Sequence, residues 1–196
     1  MVALLGPPNG RHLVDAGCGE GSFCEHLELL GFHASGFDVS ASGAAIAAER
    51  ARTGRVVRAS AYDDLRRTFG RGFDVVTALE VIEHLYAPRL FLQRARELLA
   101  PGAPLILSTP YHGYLKNLAL AATGKLDDHF TALWDGGHIK FFSPRTIWLI
   151  LEESGYGVVR VRGVGRLPRG YGSLWSCSPS GQTDMLVGRP PCVSSS

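Results

Sequence analysis

The sequence predicts an α/β fold of the doubly wound class, in which helices cover both faces of a mostly parallel sheet. Two observations predict it. Short apolar runs alternate with helix-like stretches from His12 onward, and glycine or polar residues come directly after several of the apolar runs. Because parallel strands are joined by right-handed crossovers, this alternation builds one sheet, and its ligands bind beyond the carboxyl ends of the strands.

The elements follow one another in a regular order. The first strand breaks at a glycine, and the helix after it ends at Gly31. The predicted strands are 12–17, 33–40, 55–60, 73–79, 104–110 and 157–165, and the predicted helices are 22–31, 41–52, 63–69, 89–103 and 145–156. A seventh strand is doubtful, because only 183–190 is strand-like within a stretch rich in Gly, Ser and Pro.

The chain has the size of one domain. It has 196 residues, of which 45% are hydrophobic, enough to bury a single α/β core. We expect one domain over 1–196, with a lid or substrate-binding insertion at 111–143 that contains a helix at 114–124. The stretch 166–196 is expected to be an irregular tail with a disordered end.

Composition excludes several classes of function. The net charge of +2 is spread along the chain and gives no strong signal for nucleic-acid binding. The four cysteines, Cys18, Cys24, Cys177 and Cys192, form no CxxC pair, which favours a reduced, cytoplasmic protein. No apolar run is long enough to span a bilayer, and we expect no signal peptide. Nothing in the sequence indicates an oligomeric state.

A glycine-rich turn follows the first predicted strand. Gly17, Gly19 and Gly21 stand at alternate positions between that strand and the next helix, where glycine lets the backbone approach a ligand closely. Asp38 ends the second strand, where its carboxylate can accept both hydroxyls of a ribose. The pattern therefore predicts a cofactor that contains a nucleoside, either NAD or S-adenosylmethionine.

The spacing of the glycines differs from the dinucleotide pattern, and Asp15 before the turn can approach a positively charged amino-acid group. In 14–23, 37–40 and 73–84 the chain resembles the class I S-adenosylmethionine-dependent methyltransferases, over about 11–165. The resemblance implies their Rossmann-like fold and their methyl donor. The cofactor-binding residues that it implies are Asp15, Gly17, Gly19 and Gly21 around the methionine part, Asp38 at the ribose, Ser60 and Ala61 at the adenine, and Leu79.

Three ionisable residues follow the fourth strand in the stretch "ALEVIEHLY". If this stretch begins a helix, Glu80, Glu83 and His84 share one face. Two interpretations are open. The acids could simply favour the positive end of a helix dipole beside a half-buried histidine, or the three side chains could hold a divalent metal.

This stretch also resembles two methyltransferase groups, the ubiquinone-biosynthesis O-methyltransferases and the small-RNA 3′-end methyltransferases. The resemblance implies a divalent metal such as Mg²⁺ bound by Glu80, Glu83, His84 and His138, with His84 or His138 as the catalytic base. It favours O-methylation of a small phenol-like or quinol-like hydroxyl. The alternatives are methylation of an RNA 3′-terminal ribose, which needs a basic groove, and an inactive cofactor-binding partner subunit.

The predicted insertion is rich in apolar and aromatic side chains, among them Phe130, Trp134, Phe141 and Phe142. They could line a pocket for an apolar substrate or contact a membrane surface peripherally. Ordinary packing of a lid helix is the favoured interpretation.

Overall fold

A computed structural model describes residues 5–70, 72–111, 114–130, 132–164 and 183–189. They contain a seven-stranded sheet in the order β3-β2-β1-β4-β5-β7-β6. The strands are β1 (His12–Ala16), β2 (His33–Asp38), β3 (Val56–Arg58), β4 (Val75–Leu79), β5 (Leu105–Pro110), β6 (Gly157–Val164) and β7 (Thr183–Arg189). Strands β1 to β5 are parallel, whereas β7 lies antiparallel between β5 and β6. The doubly wound α/β fold is thereby confirmed.

Helices cover both faces of the sheet. They are α1 (Ser22–Leu29), α2 (Ala41–Arg50), α3 (Leu65–Phe69), α4 (Pro88–Leu98), α5 (Tyr114–Ala122), α6 (Leu126–Phe130) and α7 (Pro144–Glu153). Helices α1 and α2 pack into one apolar cluster, and α3, α4 and α7 pack into the other. In the central strand β1, Leu13 belongs to the first cluster and Val14 to the second. A strand buried on both faces needs apolar side chains on both, which explains the continuous apolar runs.

The doubt about the seventh strand was wrong. Strand β7 pairs with β5 over six residue pairs and continues into pairing with β6. An antiparallel ladder is made by backbone N–H and C=O groups, so a segment can pair as a strand even where the sequence around it is rich in Gly, Ser and Pro. The rest of the predicted tail, 166–182 and 190–196, lies outside the described residues.

The stretch after β4 also departs from the prediction. Glu80 does not begin an α-helix, because its backbone takes a left-handed conformation with φ of 55°. A single turn of 3₁₀ helix follows at Ile82–His84, and α4 begins later, at Pro88. The Glu80 N–H still donates to the carbonyl of Ser108 on β5, at 3.2 Å, which extends the sheet ladder by one residue before the chain turns. Glu80 is therefore not on a shared helical face with Glu83 and His84.

The insertion after β5 contains α5 and α6, followed by an irregular segment that leads into α7. Ser143 begins α7 with a capping box: its hydroxyl accepts the Thr146 N–H, and the Thr146 hydroxyl accepts the Ser143 N–H. This cap fixes where the irregular segment ends and α7 begins. Throughout the described ranges, every helix is too short or too polar to cross a membrane.

Candidate active site

A cleft of about 480 Å³ lies at the carboxyl ends of β1, β2 and β4, where a doubly wound sheet binds its ligands. Of the predicted cofactor residues, Gly17, Asp38, Ser60 and Ala61 line this cleft. Its other lining residues are Phe37, Val39, Ala59, Tyr62, Glu80, Val81, His84, Leu85 and Tyr86. Leu79 and the remaining predicted cofactor residues are not among them.

The glycine turn is held closely against its surroundings. Gly17 has φ of 69°, and a Cβ on it would come within 2.6 Å of a Val81 methyl group. Gly21 precedes α1 with φ of 80°, and its Cβ would come within 2.9 Å of the Ala47 backbone on α2. Both positions therefore require glycine, for backbone conformation and for space.

Asp38 connects the end of β2 to the glycine turn. Its Oδ2 accepts the Gly19 N–H at 2.9 Å, and its Oδ1 accepts the Ser40 N–H at 2.8 Å. A carboxylate has further lone pairs, so these two bonds leave acceptor capacity on the side that faces the cleft. This arrangement suits a pair of ribose hydroxyls.

Asp15 lies beneath the glycine turn and is 4% exposed. Its Oδ1 accepts the hydroxyl hydrogen of Thr77 at 2.5 Å. Burial raises the pKa of Asp15 from 3.8 to about 7, the Thr77 hydrogen bond opposes that rise, and the charge of Asp38 adds to it. The Asp15 side chain is therefore bonded to β4 inside the protein, and it is not among the residues that line the cleft.

Tyr62 lines the cleft and was missed by the sequence analysis. Its hydroxyl accepts the Ala87 N–H at 3.0 Å, which connects the loop after β3 to the start of α4. An aromatic residue directly after the predicted adenine-side pair Ser60 and Ala61 was the available signal. Val81 and Tyr86 were missed as well, because they line the cleft only once the chain turns after Glu80.

The charges in this cleft distinguish between the two candidate cofactors. Asp38 and Glu80 contribute carboxylates, and no lysine or arginine is present among the residues that line it. The pyrophosphate of a dinucleotide would meet like charges there, whereas the sulfonium and ammonium groups of S-adenosylmethionine would meet opposite ones. The electrostatics therefore favour S-adenosylmethionine over NAD.

A second group of ionisable side chains stands beside the cleft. One ligand atom from each of Glu83, His84 and His138 lies within 4.8 Å of the others. The rings of His84 and His138 meet edge to face, with their centroids 4.7 Å apart. Glu83 is 1% exposed, and neither of its carboxylate oxygens has a donor in good hydrogen-bond geometry, although the Thr109 hydroxyl is near enough to oppose the rise of its pKa. Burial raises the pKa of Glu83 to about 7.

The insertion brings His138 to this group through backbone contacts. The N–H groups of Ile139 and Lys140 both donate to the carbonyl of Glu83, at 3.0 Å. Nδ1 of His84 lies 3.3 Å from the carbonyl oxygen of Gly137. Because a carbonyl only accepts, Nδ1 must carry the proton, and the lone pair of a neutral His84 is then on Nε2.

Glu80, the remaining predicted ligand, is held elsewhere. Its Oε1 accepts the hydroxyl hydrogen of Ser108 at 2.8 Å, and its carboxylate is not part of the three-residue group. Glu80 nevertheless lines the same cleft as His84, and its charge contributes to the raised pKa of Glu83.

A second cleft of about 650 Å³ opens under the insertion. Its walls are mainly aromatic, and its lining residues are Tyr111, Tyr114, Asn117, Phe130, Ala132, His138, Phe141, Phe142 and Ser143. His138 lines this cleft, and His84, which it contacts, lines the first one. The two clefts therefore meet at the pair of histidines.

Comparison with known proteins agrees with this geometry. The family described as a methyltransferase domain matches residues 2–161. The ubiquinone biosynthesis O-methyltransferase of Nitrobacter winogradskyi is 32% identical over 186 residues, which cover 91% of this chain and 68% of that protein.

Solved structures share the fold. The magnesium protoporphyrin IX methyltransferase of Synechocystis PCC 6803 with bound SAH superposes with a TM-score of 0.68 and 20% identity, covering 97% of this chain and 78% of that one. The methyltransferase domain of bacterial CtHen1-CN gives a TM-score of 0.65 and 25% identity, covering 96% and 94% of the two chains. With its acidic cofactor cleft and its glycine turn, the chain belongs to the S-adenosylmethionine-dependent methyltransferases.

Proposed function

We propose that this enzyme methylates a hydroxyl group of a small aromatic acceptor of the phenol or quinol class. The observation that carries the proposal is the meeting of an acidic cofactor cleft and an aromatic cleft at His84 and His138. A methyl transfer needs its donor and acceptor aligned in contact, and this junction is where two such ligands would touch.

The chemistry of the aromatic cleft supports a small, weakly charged acceptor. Five of its nine lining residues, Tyr111, Tyr114, Phe130, Phe141 and Phe142, are aromatic, and none of the nine is lysine or arginine. Flat aromatic ligands stack on such walls, whereas an RNA backbone requires cationic side chains. The name of the Nitrobacter winogradskyi relative also supports O-methylation.

The group of three beside the junction fits a divalent cation. A buried carboxylate without a hydrogen bond is costly unless a cation or a donor reaches it, and Glu83 has both oxygens in that state. Glu83, His84 and His138 offer one oxygen and two nitrogen ligands. A divalent metal held there would supply Lewis acidity next to the acceptor hydroxyl.

The residues of the chain determine alignment and proton transfer. When bound, S-adenosylmethionine supplies an electrophilic methyl group on a sulfonium. The aromatic walls orient the ring of the acceptor, and the two clefts bring its hydroxyl to the histidine pair. A neutral His84 with Nδ1–H on the Gly137 carbonyl presents Nε2 to the junction, as a metal ligand or as the acceptor of the hydroxyl proton.

The test combines a methyl-transfer assay with metal binding. We expect methyl transfer to catechol with Mg²⁺ present, and a loss of about a hundredfold or more in His138→Ala and Glu83→Gln. Both variants should keep their affinity for S-adenosylmethionine within about threefold and lose their affinity for Mn²⁺, followed by electron paramagnetic resonance. Glu49→Gln, an exposed change near the end of α2, is the matched control.

Three results would count against parts of this proposal. Transfer to the 3′ end of an RNA oligonucleotide but not to catechol or other phenols would show that the acceptor is an RNA ribose and not a small phenol. Full activity in EDTA would show that the transfer needs no divalent metal, and His84 and His138 would then act only as bases. Cofactor binding without transfer to any acceptor would indicate an inactive partner subunit.

A further inference from the structure

The carboxyl end of β5 places the side chain of Thr109 on the same face of the sheet as the 3₁₀ turn that carries Glu83. Side chains alternate between the two faces of a strand, so Thr109 shares a face with Leu107. Leu107 packs in the same apolar cluster as Ile82, the first residue of that turn, whereas Ile106 packs in the other cluster. Thr109 and the turn therefore meet on one side of β5.

The hydroxyl of Thr109 and the carboxylate of Glu83 are both buried without a partner. Thr109 is 3% exposed and Glu83 is 1% exposed. In the described part of the chain, neither the Thr109 hydroxyl nor either oxygen of the Glu83 carboxylate has a partner in good hydrogen-bond geometry. Burying polar groups in this state is costly, and it is uncommon in folded proteins. The two groups are complementary, because a hydroxyl can donate and a carboxylate accepts.

The two groups are also close enough to interact. Burial raises the pKa of Glu83, and the Thr109 hydroxyl opposes that rise, as a donor beside a carboxylate does. The hydroxyl thus lies next to the carboxylate, and only the alignment of the donor with an oxygen is missing.

The preceding residue of β5 makes the corresponding hydrogen bond to the other glutamate of the same turn. The Ser108 hydroxyl donates to Glu80 Oε1 at 2.8 Å. Strand β5 is paired with β4 on one side and with β7 on the other, which makes its backbone a rigid support for both hydroxyls. Each glutamate of the turn after β4 therefore has a hydroxyl of β5 beside it.

We infer that Thr109 is a positioning residue for the proposed metal site: its hydroxyl donates to one oxygen of Glu83 and directs the other oxygen toward His84 and His138. A hydrogen bond of this kind orients a metal-binding carboxylate, and losing it lowers metal affinity by roughly 10- to 100-fold. This role rests on the metal site that we propose above.

The experiment titrates Mn²⁺ into the wild type, Thr109→Val and Thr109→Ser, followed by electron paramagnetic resonance. Valine keeps the shape of threonine and removes the hydroxyl, so we expect the Kd for Mn²⁺ to rise about tenfold. Serine keeps the hydroxyl, and its Kd should stay within about threefold of the wild type. In methyl transfer to catechol, Thr109→Val should need about tenfold more Mg²⁺ for its half-maximal rate.

Two controls separate positioning from general damage. Thr109→Val should keep its affinity for S-adenosylmethionine within about threefold, because the hydroxyl faces Glu83 and not the cofactor cleft. Ser35→Ala removes another buried hydroxyl, which accepts the Arg55 N–H at 3.2 Å on β2, and should leave the Kd for Mn²⁺ unchanged. If Thr109→Val does not fold, Thr109→Ala gives the same comparison with Thr109→Ser.

The outcomes distinguish this inference from the proposed function. An unchanged Kd for Mn²⁺ in Thr109→Val would overturn the role of Thr109 and leave the metal site in place, and so would a Thr109→Ser that binds Mn²⁺ as weakly as Thr109→Val. A wild-type protein that binds no Mn²⁺ would overturn both the metal site and the role of Thr109. Methyl transfer to RNA instead of catechol would change the acceptor, and the Mn²⁺ titration would still decide the role of Thr109.

Discussion

The donor side of this active site, around the glycine turn, and the acceptor side, formed by the insertion after β5, are built in different ways. On the donor side, N–H groups of the turn donate to the Phe37 carbonyl and to the Asp38 carboxylate at the end of β2, and Gly21 packs against α2. On the acceptor side, large apolar side chains stay in solvent, and those at least half exposed are Tyr114, Leu118, Leu133, Trp134, Ile139 and Phe141.

The segment 137–140 attaches the acceptor side to the turn after β4. Two of its N–H groups donate to the Glu83 carbonyl, the Gly137 carbonyl lies at His84 Nδ1, the His138 ring meets the His84 ring, and Lys140 Nζ lies 5.6 Å from the centroid of the Tyr86 ring. Loops of this kind tolerate sequence change, while a close-packed turn does not. One scaffold can therefore keep its methyl donor while its acceptor changes.

The largest expected effect comes from a substitution in the glycine turn on the donor side. In Gly21→Ala, the new methyl group meets the α2 backbone at 2.9 Å in addition to the cost of a left-handed φ. We expect a loss of about 2–4 kcal/mol in the free energy of unfolding, measured with urea, and loss of S-adenosylmethionine binding.

Gly70→Ala is the matched control for this change. Gly70 also has a left-handed φ, 67°, but a Cβ there would meet nothing within 4 Å. Its cost should be about 1 kcal/mol, with cofactor affinity unchanged. Equal losses in the two variants would show that close packing of the turn on α2 contributes nothing to the free energy of unfolding.

A smaller expected effect on the donor side is a dependence of stability on pH through Asp15. Burial raises the pKa of Asp15 from 3.8 to about 7, so between these values the folded protein holds a proton that the unfolded chain has lost. Stability is then lost as pH rises through that window, and the full cost is present above about pH 7. Asp15→Asn has no such proton, so its melting temperature relative to wild type should be several degrees higher at pH 8 than at pH 5.

The comparison of two pH values removes effects that do not depend on ionisation, such as the altered hydrogen bond to Thr77. If Asp15→Asn shifts the melting temperature by the same amount at both pH values, the Asp15 carboxyl of the folded protein is ionised at both, and its pKa is not raised.

The smallest expected effect concerns the acceptor side. Leu133 is 100% exposed, so Leu133→Ser removes an apolar surface that the fold does not bury. We expect the free energy of unfolding in urea to change by less than about 0.5 kcal/mol, with unchanged cofactor affinity. A loss of about 2 kcal/mol or more, the scale of burying a leucine, would mean that the insertion is packed as tightly as the donor side.

Sequence reasoning succeeded where local pattern and function coincide. The alternation of strands and helices predicted the parallel part of the sheet. The predicted cofactor residues Gly17 and Asp38 line the cleft at its carboxyl edge, and their contact with the cofactor stays a prediction. Sequence reasoning failed at Glu80, because the left-handed turn there depends on Ser108, which is 28 residues away in sequence. It also undervalued β7, whose pairing with β5 is made by the backbone.

The sequence by itself determined the class of fold, the glycine turn with its acid after the second strand, and the kind of cofactor. These features are local, since spacing along a strand or helix decides which face a residue occupies. Only the tertiary structure decided which ionisable groups meet. His138 reaches Glu83 and His84 because the insertion folds back onto the turn after β4, and the Glu80 carboxylate accepts a hydrogen bond from Ser108, a buried residue of β5. Contacts between residues far apart in sequence depend on how the elements pack, which no local pattern specifies.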